Sequence, residues 1–294
     1  MSEQTPSRKE HPSTYFVQDR SNRDELNRLQ LQDQIITAGM SGVLAEQADP
    51  TLFQYVLDVG CGTGGWLIEV ASTYPTISLL IGVDISDRML KYARTQAESR
   101  QVNDRVEFHL MDALRTLDFP DHHFHLVNQR YGGSYLRTWD WPELLERYHR
   151  LTKPGGMVRI TEPNMITESS SSALLRLSEI SWLGALQQSG HLFTPDRSGI
   201  TAGIPRLLHQ FGFQNVQTRA HVLHYRAGTP EGESFSEVTR HFYRNLLPFF
   251  RKWTDVPDDY ETIYQQMLND MQQPDFEVTW RLDTIWGSKA PRKE

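Results

Sequence analysis

The sequence predicts an α/β fold, a mostly parallel β-sheet covered by helices on both faces. Three observations predict it. Between Tyr55 and Pro163, short apolar runs alternate with segments of helical periodicity. Most of the runs are nearly continuous in apolar residues, as strands buried on both faces are. A glycine-rich turn directly follows the first run and precedes a helical segment, which is where the carboxyl end of a parallel strand meets a ligand.

The chain has 294 residues, a net charge of −7, 38% hydrophobic and 23% charged residues. These are ordinary globular values, and at roughly 150 residues per domain they allow one large or two small domains. The single cysteine, Cys61, excludes an intramolecular disulfide framework and a cysteine-cluster metal site. With 30 Lys+Arg against 37 Asp+Glu, the basic footprint of nucleic-acid binding is missing. No stretch approaches roughly 20 uninterrupted apolar residues, so no membrane span is expected. Met1 to Pro12 lacks the apolar segment of a secretion signal. The expected setting is therefore soluble and cytoplasmic.

Residues 1–13 read as a loose polar tail. A helix is expected from Ser21 to about Met40, opened by Ser21 and Asp24 in a capping-box spacing and ended by Gly39 and Gly42. The strands expected next are Tyr55–Val59, Leu79–Val83, Val106–Leu110, Phe124–Val127 and Met157–Ile160, with helices Gly65–Ser72, Arg88–Ser99 and Pro142–Leu151 between them. Lys153-Pro154-Gly155-Gly156 reads as a turn before the fifth strand. Further on, helices are expected at Ser172–Gln188 and Gly203–Gln210, and a strand at Gln214–Tyr225. An apolar helical stripe on Val238, Phe242, Leu246 and Phe249 follows, then a helix from Pro257 to Met271 and a strand at Phe276–Trp286.

The chemistry is carried by Asp58-Val59-Gly60-Cys61-Gly62-Thr63-Gly64-Gly65 at the end of the first strand. Glycines there let a ligand approach the backbone closely. Gly60, Gly62 and Gly65 also satisfy a dinucleotide spacing, so the glycines alone do not choose a ligand. Asp58 does: its carboxylate would repel a pyrophosphate but attract a ligand with an ammonium group and no phosphate. S-adenosylmethionine fits that description. Asp84, ending the second strand 24 residues after Gly60, can accept from two ribose hydroxyls. Asp112 follows the third strand and can accept from an adenine amine. Three acids at three successive strand ends converge on one crevice.

These residues, with Gly82-Val83-Asp84-Ile85-Ser86, Met111-Asp112-Ala113 and Leu151-Thr152-Lys153-Pro154-Gly155-Gly156, resemble the class I S-adenosylmethionine-dependent methyltransferases. The resemblance spans about Tyr55 to Pro163, and within that superfamily the chain is similar to the small-molecule branch of quinone-biosynthesis and natural-product enzymes. It implies a Rossmann-like, seven-stranded sheet whose last strand runs antiparallel. It implies that Asp58, Gly60, Gly62 and Gly64 hold the methionyl end, Asp84 the ribose, and Asp112 with Ala113 the adenine. By the same resemblance Met89 packs near the adenine, and Asn128 and Gln129 line the cofactor. The chain departs from other branches in carrying Asn128-Gln129-Arg130-Tyr131, where enzymes that methylate nucleobase or amide amines have an Asn/Asp-Pro-Pro-aromatic motif. The same residues break the acidic pattern of metal-dependent catechol enzymes, and arsenite and cytosine-C5 enzymes need more cysteines than Cys61. The implied product is S-adenosylhomocysteine.

Transfer from a sulfonium needs alignment, exclusion of water and, for an acceptor with a proton to lose, a base. The candidate bases are Glu162, after the fifth strand, Tyr15 near the N-terminus, and His191, ahead of Phe193. Each has a bland alternative: Glu162 as a cap or ion-pair member, Tyr15 as an aromatic staple, His191 as a packed ring. Arg130 and Tyr131 are candidates to orient the acceptor. His122, His123 and His125 beside Asp121 invite a metal reading, but without a second cluster at ligand spacing they read as turn residues, and no metal is expected.

Aromatic residues concentrate late: 11 of the 66 residues from Thr229 to Glu294, against 11% overall. A helical insertion there could form a lid lined by Phe242, Tyr243, Phe249 and Phe250, or a homodimer face using the same stripe. The resulting division is a tail and lid helix (1–50), a cofactor-binding core (51–228), a helical cap (229–274) and a final strand (275–294). The expected activity is methyl transfer to oxygen or carbon of a small apolar or aromatic acceptor. The alternatives are a non-methylating, cyclase-type use of the same cofactor and an RNA or protein methyltransferase.

Overall fold

The computed structural model describes residues 23–292. Within them the five apolar runs form parallel strands β1 (Tyr55–Val59), β2 (Leu79–Asp84), β3 (Val106–Leu110), β4 (Phe124–Arg130) and β5 (Thr152–Pro163). A two-residue β6 (Glu168–Ser169), β7 (Phe213–Arg226) and β8 (Glu277–Lys289) complete the sheet. β8 is antiparallel to β5 along one edge and to β7 along the other, and β6 continues the line of β5. The expected mostly parallel sheet with an antiparallel last strand is thus present, with one two-residue strand added. From β1 the order runs outward through β2 to β3 on one side and through β4 to β5 on the other. Such a reversal opens a crevice at the strand ends between β1 and β4.

Period-two alternation sorts the strands' side chains onto two cores. Val56, Leu80, Val106 and Leu126 pack against α2 (Gly65–Thr73) and α3 (Asp87–Ser99). Leu57, Ile81, Val127 and Val158 pack on the opposite face, which carries α4 (Trp141–Leu151). α1 (Arg23–Gly39) is the expected N-terminal helix, and α5 (Ser172–Glu179) and α6 (Ile204–Gln210) follow β6.

Three local expectations are corrected. The Lys153–Gly156 turn is absorbed into β5, where the register shifts between Phe124 and Leu126 and Gly155 takes a φ of +78°. The single helix over Ser172–Gln188 becomes α5 followed by a π-helical stretch, Ile180–Leu186. The helix expected from Pro257 begins only at Tyr260.

The cap consists of α7 (Pro230–Trp253), longer than expected, and α8 (Tyr260–Asp270). Thr229 caps α7, its Oγ1 accepting from the Gly232 amide at 3.1 Å. α7 packs along α1, where Asn245 donates to the Glu25 carboxylate at 3.1 Å. The Tyr260 hydroxyl donates to the Tyr243 carbonyl at 2.9 Å, tying α8 to α7. Phe235, Val238, Tyr243, Leu246, Phe249 and Phe250 are all buried within the chain, so the apolar stripe of the cap faces inward. Among the described residues no helix is long and apolar enough to cross a membrane.

Candidate active site

The turn from β1 into α2 places Gly60, Gly62 and Gly64 at φ of +71°, +53° and +73°, a region costly for residues with a Cβ. The amides of Gly60 and Cys61 both donate to the Val83 carbonyl at 2.9 Å. Asp84 then organises the rest of the rim: one carboxylate oxygen accepts from the Gly62 amide at 3.0 Å and the other from the Ser86 amide at 2.8 Å. A Cβ on Gly62 would project into open space, whereas one on Gly60 would sit 2.7 Å from the Tyr135 hydroxyl. Gly64 has a packing role, since a Cβ there would meet Phe108 at 2.8 Å.

Asp58 begins a buried polar row that crosses three strands in register, Asp58 beside Asn128 and Asn128 beside Arg159. Asn128 Nδ2 donates to Asp58 Oδ1 at 2.7 Å, and Arg159 donates to Asn128 Oδ1 at 2.8 Å. Arg159 in turn pairs with Glu46 at 2.5 Å, both side chains fully buried. Burial raises the Glu46 carboxyl, but the Arg159 guanidinium together with hydrogen bonds from the backbone and Gln47 outweighs this and holds it below its usual value. Asp58 goes the other way. Burial pushes it up to about 6, against the opposing charge of Arg130 and the Asn128 hydrogen bond. Arg130 is itself committed to Asp33 of α1, at 2.5 Å. Arg130 and Arg159 also lie 5.8 and 5.7 Å from the Trp66 ring centroid.

A continuous cavity of about 320 Å³ joins this rim to the cap. At one end it is lined by Asp58, Gly60, Gly62, Asp84, Met89 and Asp112, and at the other by Met165, Trp182, Phe235, Val238, Phe242 and Trp280. Glu162 lies between them. Its Oε2 accepts from the Gly133 amide at 3.1 Å, while its Oε1 has no hydrogen-bond partner although buried. Burial pushes this carboxyl up to about 8, opposed only by the Gly133 and Gly132 amides. The buried hydroxyls of Tyr131 and Tyr135, also on the cavity wall, are likewise unpartnered. Unpaired buried polar atoms are costly and call for a ligand or water.

Among the expected site residues, the cavity wall includes Asp58, Gly60, Gly62, Asp84, Met89, Asp112, Ala113, Arg130, Tyr131, Glu162, Phe242 and Tyr243. It does not include Gly64, Asn128, Gln129, His191 or Phe249. β4 runs to Arg130 rather than ending at Val127, so Asn128 and Gln129 lie within the sheet. Asn128 supports Asp58, and Gln129 accepts from the Tyr148 hydroxyl on the other face. His191 is buried, its Nδ1 at 2.7 Å from Ser189 Oγ and its ring edge-on to Phe249. Burial pushes it down to about 4, so it is neutral at pH 7 and a weak base, and it is not on the cavity wall. Tyr15 lies outside the described residues. His125 accepts from the Tyr55 amide at 3.1 Å and His123 stacks on the Tyr55 ring. Among the described residues no group of three or more His, Cys, Asp or Glu could hold a metal ion.

The sequence reading missed Asp33, Tyr135, Arg159 and Glu46. Only Tyr135 carried a local signal, an aromatic just past the glycine pair Gly132-Gly133 that follows β4.

The residues present fit S-adenosylmethionine. Asp84 has lone pairs left to receive ribose hydroxyls, and Asp58, on the same wall, has a carboxylate that would suit an ammonium group. Asp112, which accepts from the Leu114 amide at 3.0 Å, lies on the same wall and has lone pairs that would suit an adenine amine. Among the described residues the wall carries two guanidinium groups, Arg28 and Arg130, each paired with a carboxylate, Glu25 and Asp33. Acids at the rim and paired cations suit a positively charged ligand without phosphate.

A family model described as a methyltransferase domain matches residues 56–156. A demethylmenaquinone methyltransferase of Staphylococcus saprophyticus is 30% identical over 187 residues, covering 56% of this chain and 72% of that protein. Phosphoethanolamine N-methyltransferase 3 of Arabidopsis thaliana is 34% identical over 109 residues, 37% of this chain, and the match spans only 21% of the plant protein. Among solved structures, a phosphoethanolamine N-methyltransferase 2 of Haemonchus contortus, bound to S-adenosylhomocysteine, shares the fold. Its TM-score is 0.57 at 18% identity, covering 96% of this chain and 61% of that one.

Proposed function

Because the chain belongs to the class I S-adenosylmethionine-dependent methyltransferases, we propose that it methylates oxygen or carbon of a small, largely apolar or aromatic acceptor. One observation carries this reading: the cavity that begins at the acid-and-glycine rim ends among aromatic and aliphatic side chains beneath the cap. The cofactor supplies a methyl group on a positively charged sulfur, already activated by its leaving group. The protein's part is then alignment and exclusion of water. α1 and α7 cover the cavity, with Phe242 and Tyr243 against the acceptor, and Glu162 is the base. A phosphorylated acceptor is disfavoured, since the guanidinium groups on the wall are already paired. A covered cavity and a net charge of −7 also favour a small molecule over RNA, and a cytoplasmic setting goes with that chemistry.

The test is incubation with S-adenosylmethionine and a panel of phenols, quinols and aliphatic alcohols, with S-adenosylhomocysteine and methylated product read by mass. Product with one of these classes supports the reading. Conversion of an acceptor without S-adenosylhomocysteine formation would instead favour a non-methylating use of the cofactor. Absence of calorimetric binding of either cofactor form would remove the reading altogether.

A further inference from the structure

Among the described residues, the buried acid Glu162 has no cation paired with it. Its Oε2 is held by the Gly133 amide, its Oε1 is unpartnered, and it lies on the wall between cofactor rim and acceptor compartment. The titratable and charged groups on the surrounding elements are few. They are Tyr131, Tyr135 and the Arg130–Asp33 pair at the end of β4, and Tyr148 on α4. Asp283 is the register partner on β8, Tyr225 lies on β7, and Tyr243 and the Arg28–Glu25 pair lie on the cap side. Asp58 and Asp84 stand at the rim. Neither guanidinium touches Glu162, and burial dominates its ionisation, pushing the carboxyl up to about 8. At pH 7 the group is then mostly protonated, and little of it is in the form that accepts a proton.

The sulfur of S-adenosylmethionine joins the ribose to the amino-acid arm. With Asp84 on the ribose and Asp58 on the arm, the sulfur would fall near Gly60, where a Cβ would meet the Tyr135 hydroxyl at 2.7 Å. The Tyr135 hydroxyl in turn feels the charges of Glu162, Asp84 and Asp58. A positive charge within about 4–6 Å lowers a carboxyl's pKa by roughly 1–3, enough to ionise Glu162 near neutral pH.

We propose that Glu162 is a charge-armed base: it is protonated in the cofactor-free protein and releases its proton only when a sulfonium enters the cavity. This rests on the reading above and specifies how its base is switched on. On binding, the Glu162 proton leaves to solvent, so the positive sulfur and the negative carboxylate form a net-neutral pair. In the transfer, the acceptor's nucleophilic atom bonds to the methyl carbon while the carbon–sulfur bond breaks with both electrons to sulfur. The acceptor's proton passes to Glu162. The site is neutral before and after, and the thioether product leaves Glu162 protonated and inactive until the next sulfonium arrives.

The two cofactor forms, compared in the native protein and in Glu162→Gln, separate this from every other acid in the site. S-adenosylmethionine and S-adenosylhomocysteine share the adenosyl group, the ammonium and the carboxylate, so both would make the same contacts with Asp58 and Asp84, and any effect of the sulfonium on those two acids survives in Glu162→Gln. They differ in the sulfonium charge. The experiment is calorimetric titration of the full chain with each form at pH 7, in phosphate and in Tris, whose different ionisation heats report protons released. S-adenosylmethionine should release roughly 0.5 proton or more beyond S-adenosylhomocysteine. In Glu162→Gln both should bind and the difference should disappear.

An equal release for the two forms in the native protein overturns the proposal. So does a difference that persists in Glu162→Gln, which would assign the proton elsewhere. Should that variant fail to fold, the native protein decides alone. Its preference for S-adenosylmethionine over S-adenosylhomocysteine should grow at least about fivefold from pH 6 to pH 8, and an unchanged preference overturns the proposal. Binding of both forms with equal proton release leaves the methyltransferase reading standing. Binding of neither removes both.

Discussion

The two ends of the cavity are built in opposite ways. The cofactor end comes from consecutive strand ends and a glycine turn, held by short hydrogen bonds such as Gly62 to Asp84 and Ser86 to Asp84. The acceptor end is assembled from elements far apart in the chain: α1, the π-helical stretch, α7 and Trp280 of β8. It is held by apolar packing, with few polar contacts of its own. The first is a fixed frame whose chemistry is set by local backbone geometry. The second is a surface whose shape depends on how distant pieces pack, and so can be recut without disturbing the first.

That contrast yields predictions of decreasing size. The largest effect belongs to the buried row behind Asp58. Arg159→Ala would leave Glu46 buried without its partner and should cost about 3–5 kcal/mol, read by urea unfolding. A loss below 1 kcal/mol would mean the row is solvated and not part of the frame. Next, Asp84→Ala removes both the clamp on the glycine turn and the ribose acceptor. Charge-assisted hydrogen bonds contribute about 1.5–3 kcal/mol each, so loss of even one should lower S-adenosylhomocysteine affinity by about 1.5–3 kcal/mol in calorimetry. Unchanged affinity would refute the ribose role.

The third prediction concerns pH. Glu162 and Asp58 have folded-state pKa values raised to about 8 and about 6. Each acid therefore binds its proton more tightly folded than unfolded. Stability must fall as pH rises from the unfolded value, near 4, through the folded one. For Glu162 that window runs from about 4.5 to about 8. Glu162→Gln should flatten this decline and raise stability at pH 8 by an amount on the order of a few kcal/mol, measured as thermal midpoints across pH 5 to 8.5. An identical pH profile for variant and native protein would contradict the burial account of Glu162. The smallest effect is at the cap. Phe242→Ala should change S-adenosylhomocysteine affinity by less than about 0.5 kcal/mol, the coupling expected between separate sites, because Phe242 lines the end of the cavity opposite the glycine rim. A larger loss would show that the two ends are not separable.

The same contrast explains what was legible in the sequence. Asp58, Gly60, Gly62, Asp84 and Asp112 were readable because each sits at a strand end fixed by local patterning. Asn128 and Gln129 were misplaced because the apolar run stops at Val127, while the ladder with β5 carries β4 on to Arg130. Periodicity registers hydrophobicity, not where pairing stops. Arg159 and Glu46 escaped notice because they are 113 positions apart, and an arginine inside a strand usually signals an exposed face. His191 looked reactive in a loop, yet Ser189 and Phe249 hold it in a packed, neutral state. The cap's aromatic stripe was visible at helical spacing, but its inward orientation depends on the contact between α1 and α7, which no local pattern encodes.

The most direct test of a shared cavity is a crystal structure of the protein with S-adenosylhomocysteine. The ribose should lie on Asp84, the amino-acid arm toward Asp58, and the sulfur near Gly60, facing Tyr135 and Glu162 with the compartment under α7 beyond it. Density that placed the sulfur away from Glu162, or the ligand outside the cavity, would contradict the account.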